Sequence, residues 1–255
     1  MKVSLKKIPS RLVNGLFDFF SDETMLGKIF NVIAHRAAAR PPEQALKFLF
    51  GLDALLYTLQ TQTSIAYNGG LHPKHRLMNY HDFFARRIAA SDRVMDIGCG
   101  LGAVAYDVAQ VSKQVVGMDL NAKSIQKARE LYQRPNLEFR VGDALKTLPD
   151  EKYDVVILSN VLEHLTGRPE FLRRVQAVLK PERILIRVPL FERDWRVPLK
   201  KEIGVEWRLD DTHEIEYTLE TFAAEMNQAG LAVKHLEVRW GEIWTELLPS
   251  SNAAL

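Results

Sequence analysis

The sequence predicts an α/β fold: a seven-stranded, mostly parallel sheet with an antiparallel last strand, preceded by an N-terminal helical cap. Three observations predict it. Residues 94–102 read V-M-D-I-G-C-G-L-G, an apolar run that ends in three glycines, as a strand does when it turns sharply into a helix. Further apolar runs at residues 114–119, 139–144, 153–160 and 183–188 alternate with stretches of helical periodicity, which is what crossovers between parallel strands require. The runs at 231–239 and 242–248 are joined only around Trp240-Gly241 and so form a closing antiparallel pair.

Taken in order, the first element lies within residues 1–20. Lys2, Lys6, Lys7 and Arg11 accompany Leu12, Val13, Leu16, Phe17, Phe19 and Phe20, and these apolar residues cluster on one helical face. Such a basic amphipathic helix packs on its own domain or on a second copy of the chain, or it lies peripherally on the inner face of an anionic membrane. Residues 26–59 keep a helical spacing, broken at Pro41-Pro42, with Ala45, Phe48, Leu49, Leu52, Leu55, Leu56 and Leu59 recurring every three to four positions. Residues 68–84 place histidines, a lysine and an arginine beside Gly69-Gly70 and Pro73, and are expected to be a functional loop entering a helix. These segments give a cap and acceptor loop at 1–84 and a second domain at 85–255. Within the latter, residues 189–217 are charged, carry Trp195 and Trp207, and are too long for a simple connection, which suggests a lid. A helix over 219–229 is stopped by Gly230, and 250–255 reads as a frayed tail.

Composition narrows the function. The 255 residues suffice for one α/β core. Lys plus Arg number 34 against 32 Asp plus Glu, a net charge of +2, so there is no general electrostatic reason to bind nucleic acid. A single cysteine, Cys99, excludes an internal disulfide framework or a cysteine zinc site and fits a cytoplasmic setting. No run approaches the roughly 18 apolar residues of a membrane span.

The glycine turn is a cofactor cradle. Gly98, Gly100 and Gly102 let a ligand approach bare backbone at a helix N-terminus. Gly98, Gly100 and Ala103 also fit the G-x-G-x-x-A pattern of a dinucleotide site, but Asp96 discriminates: a carboxylate there repels a pyrophosphate and attracts an ammonium group. Asp119 ends the second strand 23 residues after Asp96, near the spacing of an acid that holds ribose hydroxyls. Asp143 ends the third strand, where it can accept from an adenine amine.

With D-x-G-C-G-x-G beginning at Asp96 and S-N-x-x-E-H-L beginning at Ser159, residues 92–188 resemble the class I S-adenosylmethionine-dependent methyltransferases, and the resemblance extends more weakly to the C-terminus. It implies a Rossmann-like sheet and S-adenosylmethionine as cofactor. Asp96, Gly98, Cys99, Gly100 and Gly102 would surround its methionine portion, Asp119 and the adjoining Leu120 its ribose, Asp143 and Ala144 its adenine edge, and Asn160 the reactive sulfonium. In that fold the chain before the first strand covers the acceptor pocket, so His72, Lys74, His75, Arg76, Tyr80 and His81 are candidate acceptor contacts.

An acceptor hydroxyl needs a base, and a neutral histidine suits pH 7. His213 is the first candidate, lying in the lid with Asp211 and Glu214 able to orient it; His164 and His72 are the alternatives. A metal site on His72, His75 and His81 is not expected, because H-x2-H-x5-H matches no standard zinc spacing and Lys74 and Arg76 would repel a cation. Trp195 and Trp207 can stack on sugar faces, and Lys74 with Arg76 can hold an acidic or phosphorylated group. The expected function is therefore O-methylation of a small-molecule or glycan acceptor, free or lipid-linked. The alternatives are a lipid or quinone headgroup methylated at the membrane surface, and a non-catalytic scaffold, against which the intact Asp96, Asp119 and Asp143 weigh.

Overall fold

The computed structural model describes residues 23–250, and its chain divides into two compact units, 1–63 and 64–255. The proposed N-terminal membrane or subunit helix and the last five residues of the frayed tail lie outside the described residues. Residues 68–84, grouped by sequence with the N-terminal cap, fall within the second unit.

In the first unit, α1 (Glu23–Ala38) and the greater part of α2 (Pro42–Tyr67) are separated by the expected break, where Pro42 opens the second helix. Proline is tolerated there because a first-turn N–H has no helical partner. Ala37, Ala45 and Phe50 are buried. Among the described residues no helix is long and apolar enough to cross a membrane.

The second unit begins with two short helices, α3 (Lys74–Leu77) and α4 (Tyr80–Ala85), before β1 (Arg93–Ile97). The chain then runs through α5 (Ala103–Val108), β2 (Gln114–Asp119), α6 (Ala122–Leu131), β3 (Leu137–Val141), β4 (Val155–Ser159), α7 (Arg168–Leu179), β5 (Arg183–Pro189), α8 (Arg196–Glu202), α9 (Leu219–Gln228), β6 (Leu231–Arg239) and β7 (Glu242–Pro249). The sheet order is β3-β2-β1-β4-β5-β7-β6. All pairings from β3 to β5 are parallel, while β7 is antiparallel to both of its neighbours, as the sequence predicted.

Alternation along the central strands explains why helices cover both faces. Met95, Ile97, Val156 and Leu158 point to one side and pack with Leu172, Val175 and Leu179 of α7 and with Phe222 and Met226 of α9. Val94, Val155 and Ile157 point to the other, against Phe83 and Phe84 of α4, Val104 and Val108 of α5, and Ile125 of α6. Connections leave β1 toward β2 on one side and arrive at β4 on the other, so the carboxyl ends of β1 and β4 flank the topological switch point, where α/β sheets hold their ligands.

Candidate active site

Four strand ends, those of β1, β2, β3 and β4, carry the predicted cofactor residues. Gly98, Gly100 and Gly102 have φ values of 73°, 54° and 84°, left-handed conformations that favour glycine. The three differ in surroundings. A Cβ on Gly98 would stand 2.5 Å from Val161 Cγ2, and one on Gly102 2.4 Å from Phe139 Cζ, whereas one on Gly100 would meet nothing within 4 Å. The outer two glycines permit packing, and the middle one faces open space.

That space is a cavity of about 200 Å3 lined by Asp96, Gly98, Cys99 and Gly100 from the turn, Ser159 and Asn160 after β4, Lys74, His75 and Tyr80 from the segment before β1, and Arg187 of β5. Asp96 is 1% exposed, and its Oδ2 has no hydrogen-bond partner among the described residues. Burial, reinforced by the nearby Asp119 charge, pushes its carboxyl up to about 8. Asn160, held at φ 56° by its N–H bond to the Arg187 carbonyl at 2.8 Å, likewise buries an unpartnered Oδ1. Two buried acceptors on one wall, both unmatched by protein, are the complement of a cationic donor.

A second cavity shares Gly98 with the first and continues along the ends of β2 and β3, between Asp119, Leu120, Asp143, Ala144 and the apolar Val161, Leu165 and Phe171. Asp119 accepts from Gly100 N at 2.9 Å through Oδ2 and from Asn121 N at 2.8 Å through Oδ1. Asp143 accepts from Leu145 N at 3.0 Å and lies 3.1 Å from Lys146 Nζ. The Ala144 carbonyl accepts from Arg174. Of the predicted cofactor residues, all but Gly102 line one of two adjoining cavities; Gly102 packs against Phe139 instead.

The segment before β1 contributes a chain of side chains that the sequence did not reveal. His81 Nδ1 lies 2.6 Å from Asp107 Oδ2, His81 Nε2 lies 2.8 Å from His75 Nδ1, and Tyr80 OH lies 2.7 Å from the same His75 nitrogen. A carboxylate only accepts, so His81 Nδ1 carries a proton and its Nε2 is the acceptor. His75 Nδ1 then donates, and His75 Nε2 is left with its lone pair. Burial and the neighbouring His81, Lys74 and Arg187 push the His75 imidazole down to about 3, so it is neutral. Opposite, Arg187 is 2% exposed, pairs bidentately with Glu242 at 2.5 and 2.7 Å, and stacks 3.8 Å over the Tyr80 ring. An arginine inside the apolar run I-L-I-R-V-P was the signal for this pair.

The remaining predicted residues fall elsewhere. His72 Nδ1 accepts from Lys74 N at 3.0 Å, Arg76 is exposed and bonded to Asn68 Oδ1 at 3.2 Å, and Trp195 is 72% exposed. Trp207 packs edge-on against Phe191, with Lys201 Nζ 5.0 Å from its ring. His213 and His164 do not line the cavity that holds Asp96; they pack ring to ring at 4.7 Å. The 189–217 insertion that carries His213 is closed at its base by the Leu190–Tyr217 bridge, and Glu214 N and Ile215 N tie its end to the Glu163 carbonyl at 2.7 and 3.3 Å. Glu163, fully buried in the turn after β4, has no partner for either carboxylate oxygen among the described residues.

Comparison with known proteins bears on the family and the fold. A family model described as a methyltransferase domain matches residues 95–186. A ubiquinone biosynthesis O-methyltransferase of Rhodopseudomonas palustris (strain HaA2) is 30% identical over 164 residues, which cover 58% of this chain and 64% of that protein. The chain thus spans just under two thirds of the length of this curated relative. Among solved structures, the DhpI-SAH complex superposes with a TM-score of 0.56 at 15% identity, covering 78% of this chain and 96% of its own. Magnesium protoporphyrin IX methyltransferase (ChlM) from Synechocystis PCC 6803 with bound SAH superposes with a TM-score of 0.53 at 19% identity, covering 68% and 83%. The two structures share the fold.

Proposed function

Residues 95–186 match a methyltransferase-domain model, and we propose that the chain is a class I S-adenosylmethionine-dependent methyltransferase that transfers a methyl group from S-adenosylmethionine to an oxygen of a small-molecule acceptor. The single observation that carries this reading is the cavity whose wall holds two buried, unpartnered oxygens, Asp96 Oδ2 and Asn160 Oδ1, beside the open face of Gly100.

The residues present fit that cofactor. Asp96 and Asn160 would accept from its ammonium group, Asp119 would offer its remaining lone pairs to ribose hydroxyls, and Asp143 would meet the adenine edge, with Val161, Leu165 and Phe171 forming an apolar slot. When bound, the cofactor supplies an electrophilic methyl group on a sulfonium. The protein's own work is to hold the acceptor in line, exclude water and take up a proton.

For the proton the geometry favours His75 over the three histidines singled out from sequence. His75 lines the cavity, and the Asp107–His81 chain fixes it in the tautomer with Nε2 unprotonated. A proton accepted at Nε2 is passed from Nδ1 to His81, where Asp107 stabilises the resulting imidazolium. Lys74 and Arg187 add positive potential on the same wall, which suits an acceptor that becomes an oxyanion. A covering role for the 189–217 insertion, none of whose residues lines the cavity of Asp96, is part of the proposal.

The acceptor is a small molecule or glycan in this reading. A quinone or lipid headgroup is the second reading, favoured by the name carried by the Rhodopseudomonas relative. Incubating the purified chain with methyl-labelled S-adenosylmethionine and extract of the source organism, then separating lipid, glycan, small-molecule and macromolecular fractions, tests both. Label in an alkali-stable ether within the small-molecule or glycan fraction supports the first, label in the lipid fraction supports the second, and label in protein alone overturns both.

A further inference from the structure

We propose that Glu163, His164 and His213 form a binding site for one divalent transition-metal ion. One ligand atom from each of the three side chains lies within 4.8 Å of the others. This cluster stands outside the cavity of Asp96 and Asn160, and the inference does not depend on the methyl-transfer reading.

Three features point to an ion and not to a chance grouping. The first is Glu163. Its side chain is 0% exposed, and neither carboxylate oxygen has a hydrogen-bond partner among the described residues. Removing a carboxylate from water without a partner is costly, and a cation is the partner that compensates both oxygens at once. The nearest guanidinium in its field, Arg187, is already committed to Glu242.

The second feature is that both histidines have their other ring nitrogen occupied. Thr212 Oγ1 donates its only proton to Asp210 Oδ1 at 2.6 Å, so toward His164 Nδ1, 2.9 Å away, it must accept. His164 therefore carries its proton on Nδ1 and presents the Nε2 lone pair. His213 Nδ1 lies 3.2 Å from Glu216 Oε1, a pure acceptor, which fixes the same tautomer. A carboxylate or a hydroxyl–carboxylate relay behind each imidazole is the arrangement that orients metal-bound histidines and raises their basicity.

The third is the donor set and its access. Two imidazoles and one carboxylate suit zinc, cobalt, iron or manganese in preference to calcium or magnesium, and three protein ligands leave positions open for water or another oxygen ligand. His164 is exposed while Glu163 and His213 are buried, so the ion has a way in and a desolvated seat. Glu163 and His164 sit in the turn after β4, and His213 comes from the insertion. An ion would pin the insertion to that turn, adding to the Glu214 N bond to the Glu163 carbonyl. The sequence reading weighed only the histidines of residues 72–81 and so passed over a set whose members are separated by some fifty residues.

The test uses the full chain, untagged, stripped with chelator and titrated with Co2+ and Zn2+. The expected result is one ion per chain, visible-region cobalt bands of a low-coordinate nitrogen/oxygen site, and a rise in Tm on loading. His164→Ala, which removes an exposed ring whose contacts are the His213 ring and Thr212, and Glu163→Gln, which keeps the shape and removes the charge, should each weaken binding at least 10-fold. His35→Ala, a histidine outside the cluster, should leave binding unchanged. Sub-stoichiometric binding by the wild-type chain, or titrations of His164→Ala and Glu163→Gln that superpose on wild type, would overturn the site.

Discussion

Asp119 accepts the backbone N–H of Gly100 through Oδ2 at 2.9 Å, so the acid that closes β2 also braces the glycine turn that follows β1. Replacing it would remove the proposed ribose contacts and loosen the turn together. Asp119→Ala should weaken S-adenosylhomocysteine binding by about 10- to 100-fold, corresponding to roughly 1.5–3 kcal/mol for hydrogen bonds to a charged acceptor. Asp119→Asn, which keeps one acceptor oxygen, should fall between. Isothermal calorimetry giving wild-type affinity for the alanine variant would remove Asp119 from the nucleoside site.

The three glycines of the turn should separate by phenotype. A methyl group on Gly98 or Gly102 drives into Val161 or Phe139, so Gly98→Ala and Gly102→Ala should lower Tm through overpacking and left-handed strain of order 1–3 kcal/mol each. Gly100→Val adds a branched group where nothing lies within 4 Å, so its main effect should be loss of cofactor binding, with only the strain of φ 54° charged to stability. Full S-adenosylhomocysteine affinity in folded Gly100→Val would mean that the open face is not the cradle.

Legibility in the sequence follows the range of the forces concerned. Strand and helix positions depend on local periodicity, and β2, β5 and β6 fall within a residue of expectation. The third strand ends at Val141, two residues before Asp143, with Gly142 N giving the last ladder bond to the Asp119 carbonyl. The candidate cofactor residues could be named from the sequence because they follow the ends of β1, β2, β3 and β4, which local periodicity marks. The His75–His81–Asp107 chain was not, since Asp107 lies on α5 and only tertiary packing brings it to α4. Glu242 reads as the polar start of a hairpin strand until antiparallel pairing of β5 with β7 brings it to Arg187, and the partner of His213 is equally invisible across the insertion.

Asp96 should make both stability and binding depend on pH. Its folded carboxyl is pushed up to about 8 from an ordinary value near 4, so between those values the folded chain holds a proton that the unfolded chain has lost. The stability it contributes is fully present below about pH 4 and is lost as pH rises through about 8. An ammonium ligand needs the charged form, so affinity should rise over the same interval, with proton release on binding near pH 7. Asp96→Asn should flatten the difference in Tm between pH 5 and pH 8.5 and abolish the proton release measured in buffers of different ionisation enthalpy. Identical pH profiles for the variant and the wild type would refute the shifted carboxyl.

The proton path from His75 to Asp107 makes the strongest claim on the chemistry. His75 alone is too weak a base to keep a proton, since its surroundings hold it at about 3, but its Nδ1 is 2.8 Å from His81, and His81 is 2.6 Å from a carboxylate. The positive charge can therefore settle on His81 beside Asp107, away from Lys74 and Arg187. Asp107→Asn keeps the shape, removes the charge and permits the wrong His81 tautomer, so it should lower kcat by about 10²-fold. His75→Ala should do at least as much. S-adenosylhomocysteine affinity should stay near wild type in both, because the proposed arrangement gives the cofactor to Asp96, Asn160, Asp119 and Asp143 and not to either of these side chains. His213→Ala, by contrast, should leave kcat much less affected once the metal content of the preparations is matched. Should Asp107→Asn and His75→Ala keep wild-type kcat on a hydroxyl acceptor whose deprotonation limits the rate, the relay would be wrong; should His213→Ala alone lose activity, the base would be His213, the residue that the sequence put first.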